Sequence, residues 1–163
     1  MHEPFASVWL LDSGCSNHMT ENKNLVANFN QSVKTEVKLG IDKTVEVDGK
    51  GVVNISTKQG EPETISDVYY APSLKHNLIS VGQLTQKGYR VIFQNQECAI
   101  YDKPPRKQLI AKVQMTRNKL FPLIMNYSGQ VSSFLVACSD DYRFGTFDLD
   151  TYTFLVLRLL HRK

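Results

Sequence analysis

Val8-Trp9-Leu10-Leu11-Asp12-Ser13-Gly14 is the stretch of sequence that decides the fold. Its first four residues form an apolar run of the kind that makes a buried strand, and its last three form a turn that stops the strand. Strand-like runs separated by turns recur about every 10 residues from here to residue 101, which is typical of a small β-barrel or closed sandwich. The fold class is therefore predicted as all-β, a small closed β-barrel with one short helix.

Working outward, the alternation from Val33 to Leu39 predicts a half-buried strand that is paired with a second strand at Thr44–Val47. A second turn is expected at residues 48–51, because Asp, Gly, Lys and Gly follow one another there. The one helix is predicted over residues 80–88, with Ser80 as its N-cap and Gly88 at its C-terminal end. Further strands are predicted at 52–55, 64–70, 89–93 and 98–101.

The chain divides into three predicted segments. Residues 6–102 are assigned to the β-barrel domain, which ends near two prolines in a charged stretch. Residues 103–126 are expected to form a β-hairpin from Leu109–Gln114 and Lys119–Met125. Residues 127–163 have no clear periodicity and are treated as a poorly defined C-terminal tail.

Length, charge and cysteine content exclude several classes of protein. With 163 residues the chain is too short for an enzyme that needs two full β-barrels or lobes in one chain. Three cysteines without a C-x-x-C pair do not form a disulfide framework, so we expect a reducing, cytoplasmic compartment. Residues 101–163 hold 10 Lys and Arg against 5 Asp and Glu, which predicts weak contact with nucleic acid through this basic C-terminal segment. The sequence has neither a signal peptide nor an apolar run long enough to span a membrane, and no membrane contact is expected.

The triplet Asp12-Ser13-Gly14 has the composition that aspartic protease chemistry requires. Such an enzyme holds two carboxylates about 3 Å apart that share one proton, so that one acts as base on a water while the other protonates the carbonyl oxygen. The carboxylate needs a tight loop at the end of a rigid strand, and a glycine lets two such loops pack face to face. Alone, the triplet is weak evidence, because an ordinary polar turn has the same composition.

The context of the triplet is much more specific. Two blocks resemble the protease region of copia-type retrotransposon Gag-Pol polyproteins of the TNT 1-94 kind, and they occur in the order and spacing of that family. The first block is Trp9-Leu10-Leu11-Asp12-Ser13-Gly14-Cys15-Ser16-Asn17-His18-Met19-Thr20. The second is Asp67-Val68-Tyr69-Tyr70-Ala71-Pro72-Ser73-Leu74-Lys75-His76-Asn77-Leu78-Ile79-Ser80-Val81-Gly82-Gln83-Leu84. The stretch from Ile110 to Met125 resembles the start of the pre-integrase segment.

This resemblance implies a retropepsin-like protomer and an aspartic endopeptidase that cuts a Gag-Pol polypeptide. Asp12 would be the catalytic carboxylate, Ser13 would hold the loops together and Gly14 would allow their close approach. Leu39, Gly40, Ile41 and Asp42 would belong to a flap that closes over the substrate. Because the chain has one such triplet, the second Asp12 has to come from a second copy in a homodimer. No metal and no cofactor are expected, and an active element would place the protein in virus-like particles.

Three other interpretations remain open from the sequence. A trypsin-like enzyme with Ser13 as nucleophile is disfavoured, because 12 residues precede Ser13 and its base and acid should lie before it. Cys15 and His18 could begin a zinc site, although no second pair of ligands follows. A catalytically inactive barrel remnant that at most binds protein is the main alternative.

Overall fold

The computed structural model describes residues 6–56 and 62–127, and its regular elements are almost all β-strands. One α-helix, α1 (Val81–Gln86), and a 3-10 turn at Lys23–Leu25 accompany them. The all-β prediction is confirmed, whereas the tail predicted for residues 127–163 lies outside the described residues from 128 onward. The strands are β1 (Ala6–Asp12), β2 (Met19–Thr20), β3 (Val26–Asn30), β4 (Thr35–Leu39), β5 (Lys43–Val47), β6 (Gly49–Ser56), β7 (Pro62–Tyr70), β8 (Asn77–Ser80), β9 (Arg90–Gln94), β10 (Glu97–Tyr101), β11 (Leu109–Gln114) and β12 (Pro122–Tyr127).

Six strands close into the predicted barrel, in the order β12, β1, β8, β2, β7 and β6. Strand β1 lies between an antiparallel neighbour, β12, and a parallel neighbour, β8. The barrel closes where β6 pairs with β12, with Ile55 opposite Tyr127. β3 adds to the outer edge of β6, and β9, β10 and β11 form a separate three-stranded sheet. Since β1 has a neighbour on each side, its C-terminal end at Asp12 is held by the barrel itself.

Two hydrophobic clusters support the fold. The larger one joins the barrel to the three-stranded sheet around fully buried Trp9, Ile100 and Leu123. The Trp9 indole N–H donates to the Tyr127 hydroxyl at 2.8 Å, which ties β1 to β12 inside this cluster. The smaller cluster fills the space beneath the β4–β5 hairpin. Its buried members are Leu10, Cys15, Met19, Val37, Val45, Val47, Ala71, Leu74 and Leu78.

The β-hairpin predicted for residues 103–126 is wrong, because its two strands do not pair with each other. Both strands exist, but β11 pairs with β10 in the small sheet, and β12 pairs with β1 and β6 in the barrel. The alternation of apolar residues located the two strands correctly, but it contains no information on which strand lies beside which. The division of the chain at residues 102 and 126 stays a prediction, and any such division has to keep β12 with the barrel.

The turn predicted at residues 48–51 is also wrong, because β6 already begins at Gly49. The glycines there serve close packing between strands. A Cβ atom on Gly51 would lie 2.3 Å from the Ala27 carbonyl oxygen of β3, which no side chain can accommodate. Glycine in a strand commonly marks such a close backbone approach, and in sequence it has the same appearance as a turn.

The β4–β5 hairpin and the helix are present as predicted. Leu39 pairs with Lys43 next to the turn, which leaves residues 40–42 at the tip of the hairpin. Helix α1 starts after Ser80, whose hydroxyl accepts the Gln83 N–H at 3.0 Å as an N-cap. Both elements flank the C-terminal end of β1.

Candidate active site

Asp12 is the last residue of β1 and stands opposite Ser80 in the parallel pairing with β8. Its side chain is half-buried, whereas Ser13, Gly14 and Ser16 of the following loop are exposed. We call residues 12–17 the Asp12 loop. A carboxylate is thus placed at the rim of the barrel, supported by a strand with neighbours on both sides and open to an incoming group.

A short hydrogen bond within the Asp12 loop orients the carboxylate. The Gly14 N–H donates to Asp12 Oδ1 at 2.6 Å. A Cβ atom on Gly14 would lie 3.2 Å from that same oxygen, which is tighter than most real Cβ contacts. Glycine therefore lets the backbone approach the carboxylate closely enough for its N–H to hold one oxygen in place. The structure places the three predicted residues of the triplet together, while their catalytic role stays a prediction.

Cys15 is a packed residue behind the loop. It is buried, and its thiol donates to the Asp12 carbonyl oxygen at 3.6 Å. Burial, followed by the nearby charge of Asp12, raises the pKa of the Cys15 thiol to about 12. A thiol that stays protonated and faces the interior is a poor metal ligand, because zinc binds the thiolate.

His18 is also buried and holds the end of the loop against the second sequence block. Its Nδ1 accepts the Ser80 N–H at 3.0 Å, and its backbone N–H donates to Gln83 Oε1 at 2.7 Å. Burial, reinforced by the charge of Lys87 and opposed by that of Asp67, lowers the pKa of His18 to about 3. A neutral imidazole whose Nδ1 is already engaged fits a structural position better than that of a zinc ligand or of a base for Ser13.

The two sequence blocks are joined by buried polar side chains, and the sequence did not predict that they pack together. The Ser80 hydroxyl donates to the Cys15 carbonyl oxygen at 2.7 Å across the two blocks. The Gln83 side-chain oxygen accepts the His18 N–H across the blocks, and its amide donates to the Asp67 carbonyl oxygen at 3.2 Å within the second block. We call the side chains of His18, Ser80 and Gln83 the polar layer. The signal for it was present, since all three lie within the blocks that carry the resemblance, but polar residues give no periodic hydrophobic pattern.

The predicted flap residues lie beside the Asp12 loop. A single antiparallel bridge joins Leu39 to Cys15, and Leu39 packs against the smaller cluster. Beyond it, Gly40, Ile41 and Asp42 are exposed, with 94% of the Ile41 surface accessible. The structure thus brings the base of the hairpin to the loop and leaves the tip in solvent. A flap role for these four residues stays a prediction.

The described ranges contain neither a cluster of metal-binding side chains nor a helix that could cross a membrane. Within residues 6–56 and 62–127, no group of three or more His, Cys, Asp and Glu side chains is arranged to hold a metal ion. Over the same ranges, no helix has the length and apolar character needed to cross a membrane.

Comparison with known proteins relates this barrel to transposon proteins. Residues 9–89 match the family model described as "Pol polyprotein, beta-barrel domain". The chain is 36% identical over 76 residues to the putative transposon Ty5-1 protein of Saccharomyces cerevisiae, a match that covers 47% of this chain and 49% of that protein. It is 32% identical over 91 residues to the retrovirus-related Pol polyprotein from transposon TNT 1-94 of Nicotiana tabacum, covering 56% of this chain and 7% of the polyprotein. No solved structure matches the chain significantly. The matched region is therefore about half of the first relative and a small part of the second.

Proposed function

Because residues 9–89 belong to the beta-barrel domain of copia-type retrotransposon Pol polyproteins, we propose that the chain is one protomer of an aspartic endopeptidase that acts as a homodimer. The observation that carries the proposal is the placement of Asp12. Its carboxylate stands at the end of a barrel strand, is oriented by the Gly14 N–H at 2.6 Å, and is followed by exposed small residues. Two copies of such a loop can approach each other without a bulky side chain between them.

The homodimer is proposed because the chain has a single Asp-Ser-Gly triplet. The chain contains one Asp-Ser-Gly triplet, whereas water activation between two carboxylates needs a pair of them. A two-fold axis beside the Asp12 loop places the same residue of each protomer on both sides of one site. A homodimer therefore supplies the pair from a single gene product.

The reaction uses the two carboxyl groups in different protonation states. The ionised Asp12 takes a proton from a water, whose oxygen attacks the carbonyl carbon of the scissile peptide bond. The protonated Asp12 of the other protomer donates its proton to the carbonyl oxygen, giving a neutral tetrahedral diol. When the diol collapses, the C–N bond breaks as the Asp12 that took the water proton donates it to the leaving nitrogen. The other Asp12 accepts a proton from a diol hydroxyl, which becomes part of the product carboxyl group, and the pair again shares one proton.

Substrate and surroundings are part of the proposal. The substrate is an extended polypeptide of the Gag-Pol type, which binds by main-chain hydrogen bonds to strand edges with the β4–β5 hairpin as its lid. The location proposed is the cytoplasm and the virus-like particle. Weak nucleic-acid contact is proposed for the basic C-terminal segment, residues 101–163, which hold 10 Lys and Arg against 5 Asp and Glu.

One substitution tests the proposal directly. The full chain is incubated with a Gag-Pol-derived polypeptide between pH 4 and 6, and the fragments are identified by mass spectrometry. Asp12→Asn keeps the acceptor for the Gly14 N–H but cannot take up the proton, so cleavage should fall by at least about 10³-fold with an unchanged circular dichroism spectrum. Sedimentation should give a dimer for both forms. Cleavage by a strict monomer, or undiminished cleavage by the variant, contradicts the proposal.

The inactive alternative gives a different pattern in the same experiment. A barrel that only binds protein would retain the Gag-Pol polypeptide in a pull-down and release it intact. A dimer that is verified by sedimentation and still produces no fragments would establish that alternative.

A further inference from the structure

The polar layer lies between the Asp12 loop and helix α1, and the proposed reaction does not use it directly. Its three side chains are almost fully buried, with at most 5% of their surface exposed. They form a continuous set of hydrogen bonds. Ser80 Oγ accepts from the Gln83 N–H at 3.0 Å and donates to the Cys15 carbonyl oxygen at 2.7 Å, while the Ser80 N–H reaches His18 Nδ1 at 3.0 Å. Burying a polar group costs free energy unless the group is hydrogen-bonded. A buried and fully bonded set of polar side chains at this place therefore suggests a specific role.

We propose that Ser80, supported by His18 and Gln83, is a positioning residue that fixes the Asp12 carboxylate for catalysis. This inference rests on the proposed function and deepens it. The connection is short: Ser80 holds the Cys15 carbonyl, the Cys15 thiol donates to the Asp12 carbonyl oxygen at 3.6 Å, and Ser80 itself stands opposite Asp12 in the strand register.

The proposed reaction requires precise placement of the Asp12 carboxylate, and the polar layer can provide it. Two carboxylates that share a proton have to be held about 3 Å apart, and a displacement of about 1 Å in an active site can cost about 10²-fold in rate. Within the Asp12 loop Cys15 alone is buried, whereas Ser13, Gly14 and Ser16 are exposed, so the packing that supports the carboxylate acts through Cys15. Rigid support from behind, through side chains that are themselves buried and bonded, is what a precise site requires.

A matched control lies in the same two blocks. Thr20 is as buried as Ser80, and its hydroxyl donates to Asn77 Oδ1 at 2.6 Å. Asn77 in turn donates to the Val8 carbonyl oxygen at 3.2 Å, within the barrel wall. The Thr20 hydroxyl therefore links the same blocks without contacting the Asp12 loop. A loss of general stability should affect both positions, whereas a loss of positioning should affect Ser80 alone.

The kinetic test compares Ser80→Ala with Thr20→Val in the full-length chain. Ser80→Ala should lower kcat about 10- to 100-fold with KM within about twofold, because the site still binds but holds its carboxylate poorly. Thr20→Val should leave kcat within about threefold, and Ser80→Thr, which retains the hydroxyl, should recover most of the loss. If Thr20→Val lowers kcat as much as Ser80→Ala, or if Ser80→Ala keeps the full kcat, the inference is wrong.

A structural measurement separates this inference from the proposed function. Backbone NMR order parameters at Gly14 and Cys15 should fall from about 0.85 to below about 0.6 in Ser80→Ala and stay high in Thr20→Val. This readout decides the inference even if the wild-type chain cleaves nothing, in which case the proposed function fails by itself. If Ser80→Ala does not fold, Ser80→Cys replaces it, since a thiol is a weaker donor of similar shape and should give a smaller drop at the same residues. Unchanged order parameters in a folded variant would contradict positioning by Ser80.

Discussion

The Asp12 loop and the polar layer behind it are neighbours that differ in solvent exposure and in hydrogen bonding. Ser13, Gly14 and Ser16 are small and exposed. His18, Ser80 and Gln83 are buried, and each has hydrogen-bond partners in the other sequence block. The loop carries the group that can react, and the layer carries the bonds that hold it.

This difference teaches where substitutions should act. Exposed positions that make few contacts change stability by less than about 0.5 kcal/mol, whereas a buried polar group that loses its partner costs about 1–3 kcal/mol. Substitutions in the polar layer should therefore change stability strongly, and those at exposed positions near the loop should change it little. Three predictions test this contrast, from the largest expected effect to the smallest.

The largest effect is the pH dependence that His18 introduces. The pKa of His18 is lowered from 6.5 to about 3 in the fold, mainly by burial. As pH falls below 6.5 the unfolded chain binds a proton that the folded chain refuses until about pH 3, so this contribution to stability is complete above pH 6.5 and is lost on acidification. The slope approaches about 1.4 kcal/mol per pH unit once the unfolded imidazole is charged, which amounts to about 2.3 kcal/mol between pH 6.5 and 4.5.

Urea unfolding of the wild type and of His18→Gln over this pH range measures that slope. The free energy of unfolding of the variant should fall less steeply with decreasing pH, and the difference in slope should correspond to about one bound proton. An NMR titration of the wild type should show no protonation of the His18 ring above pH 4.5. Equal slopes for the two proteins would show that His18 is not held neutral.

The second effect is the loss of Gln83 from the layer. Gln83→Leu keeps a side chain of similar size but leaves the His18 backbone N–H without its acceptor at 2.7 Å. The free energy of unfolding should fall by about 2 kcal/mol at neutral pH. Urea denaturation measures it, with Gln86→Leu on the exposed side of the same helix as control. Surface substitutions change the free energy of unfolding by up to about 0.5 kcal/mol. A loss within that range for Gln83→Leu would show that Gln83 does not support the polar layer.

The smallest effect is expected at the tip of the β4–β5 hairpin. Ile41 is 94% exposed, so Ile41→Ala should change the free energy of unfolding by less than about 0.5 kcal/mol. If the hairpin closes over the substrate as proposed, the same variant should raise KM. A large loss of stability in thermal unfolding would mean that the tip is packed in solution and is not a free lid.

The sequence predicted the barrel and the loop well because both depend on local signals. Short apolar runs with intervening turns located the strands around Val37, Ile65 and Ile100, and Ser80 gave the start of the helix. Pairing partners were harder, since the register of β12 against β1 and β6 depends on closure of the barrel and not on any nearby residue. Gly51 was misread because a glycine that admits a neighbouring strand has the same appearance as one that makes a turn.

The polar layer was missed for a related reason. Hydrophobic periodicity predicts which apolar residues are buried, and it gives no signal that polar residues such as Ser80, Gln83 and His18 are buried as well. The pairing of β1 with β8, and of β2 with β7 and β8, brings the two blocks together in three dimensions. These buried polar groups are then satisfied by hydrogen bonds to one another.

The most direct test of the central claim is a mixing experiment with the Asp12→Asn variant. If each active site uses one Asp12 from each of two copies, the variant forms mixed dimers that lack a complete pair. Under conditions where all protein is dimeric and exchanges freely, a ninefold excess of the variant should lower the cleavage by a fixed amount of wild type about tenfold. Cleavage that is independent of the added variant would show that one chain is sufficient and would contradict the shared site.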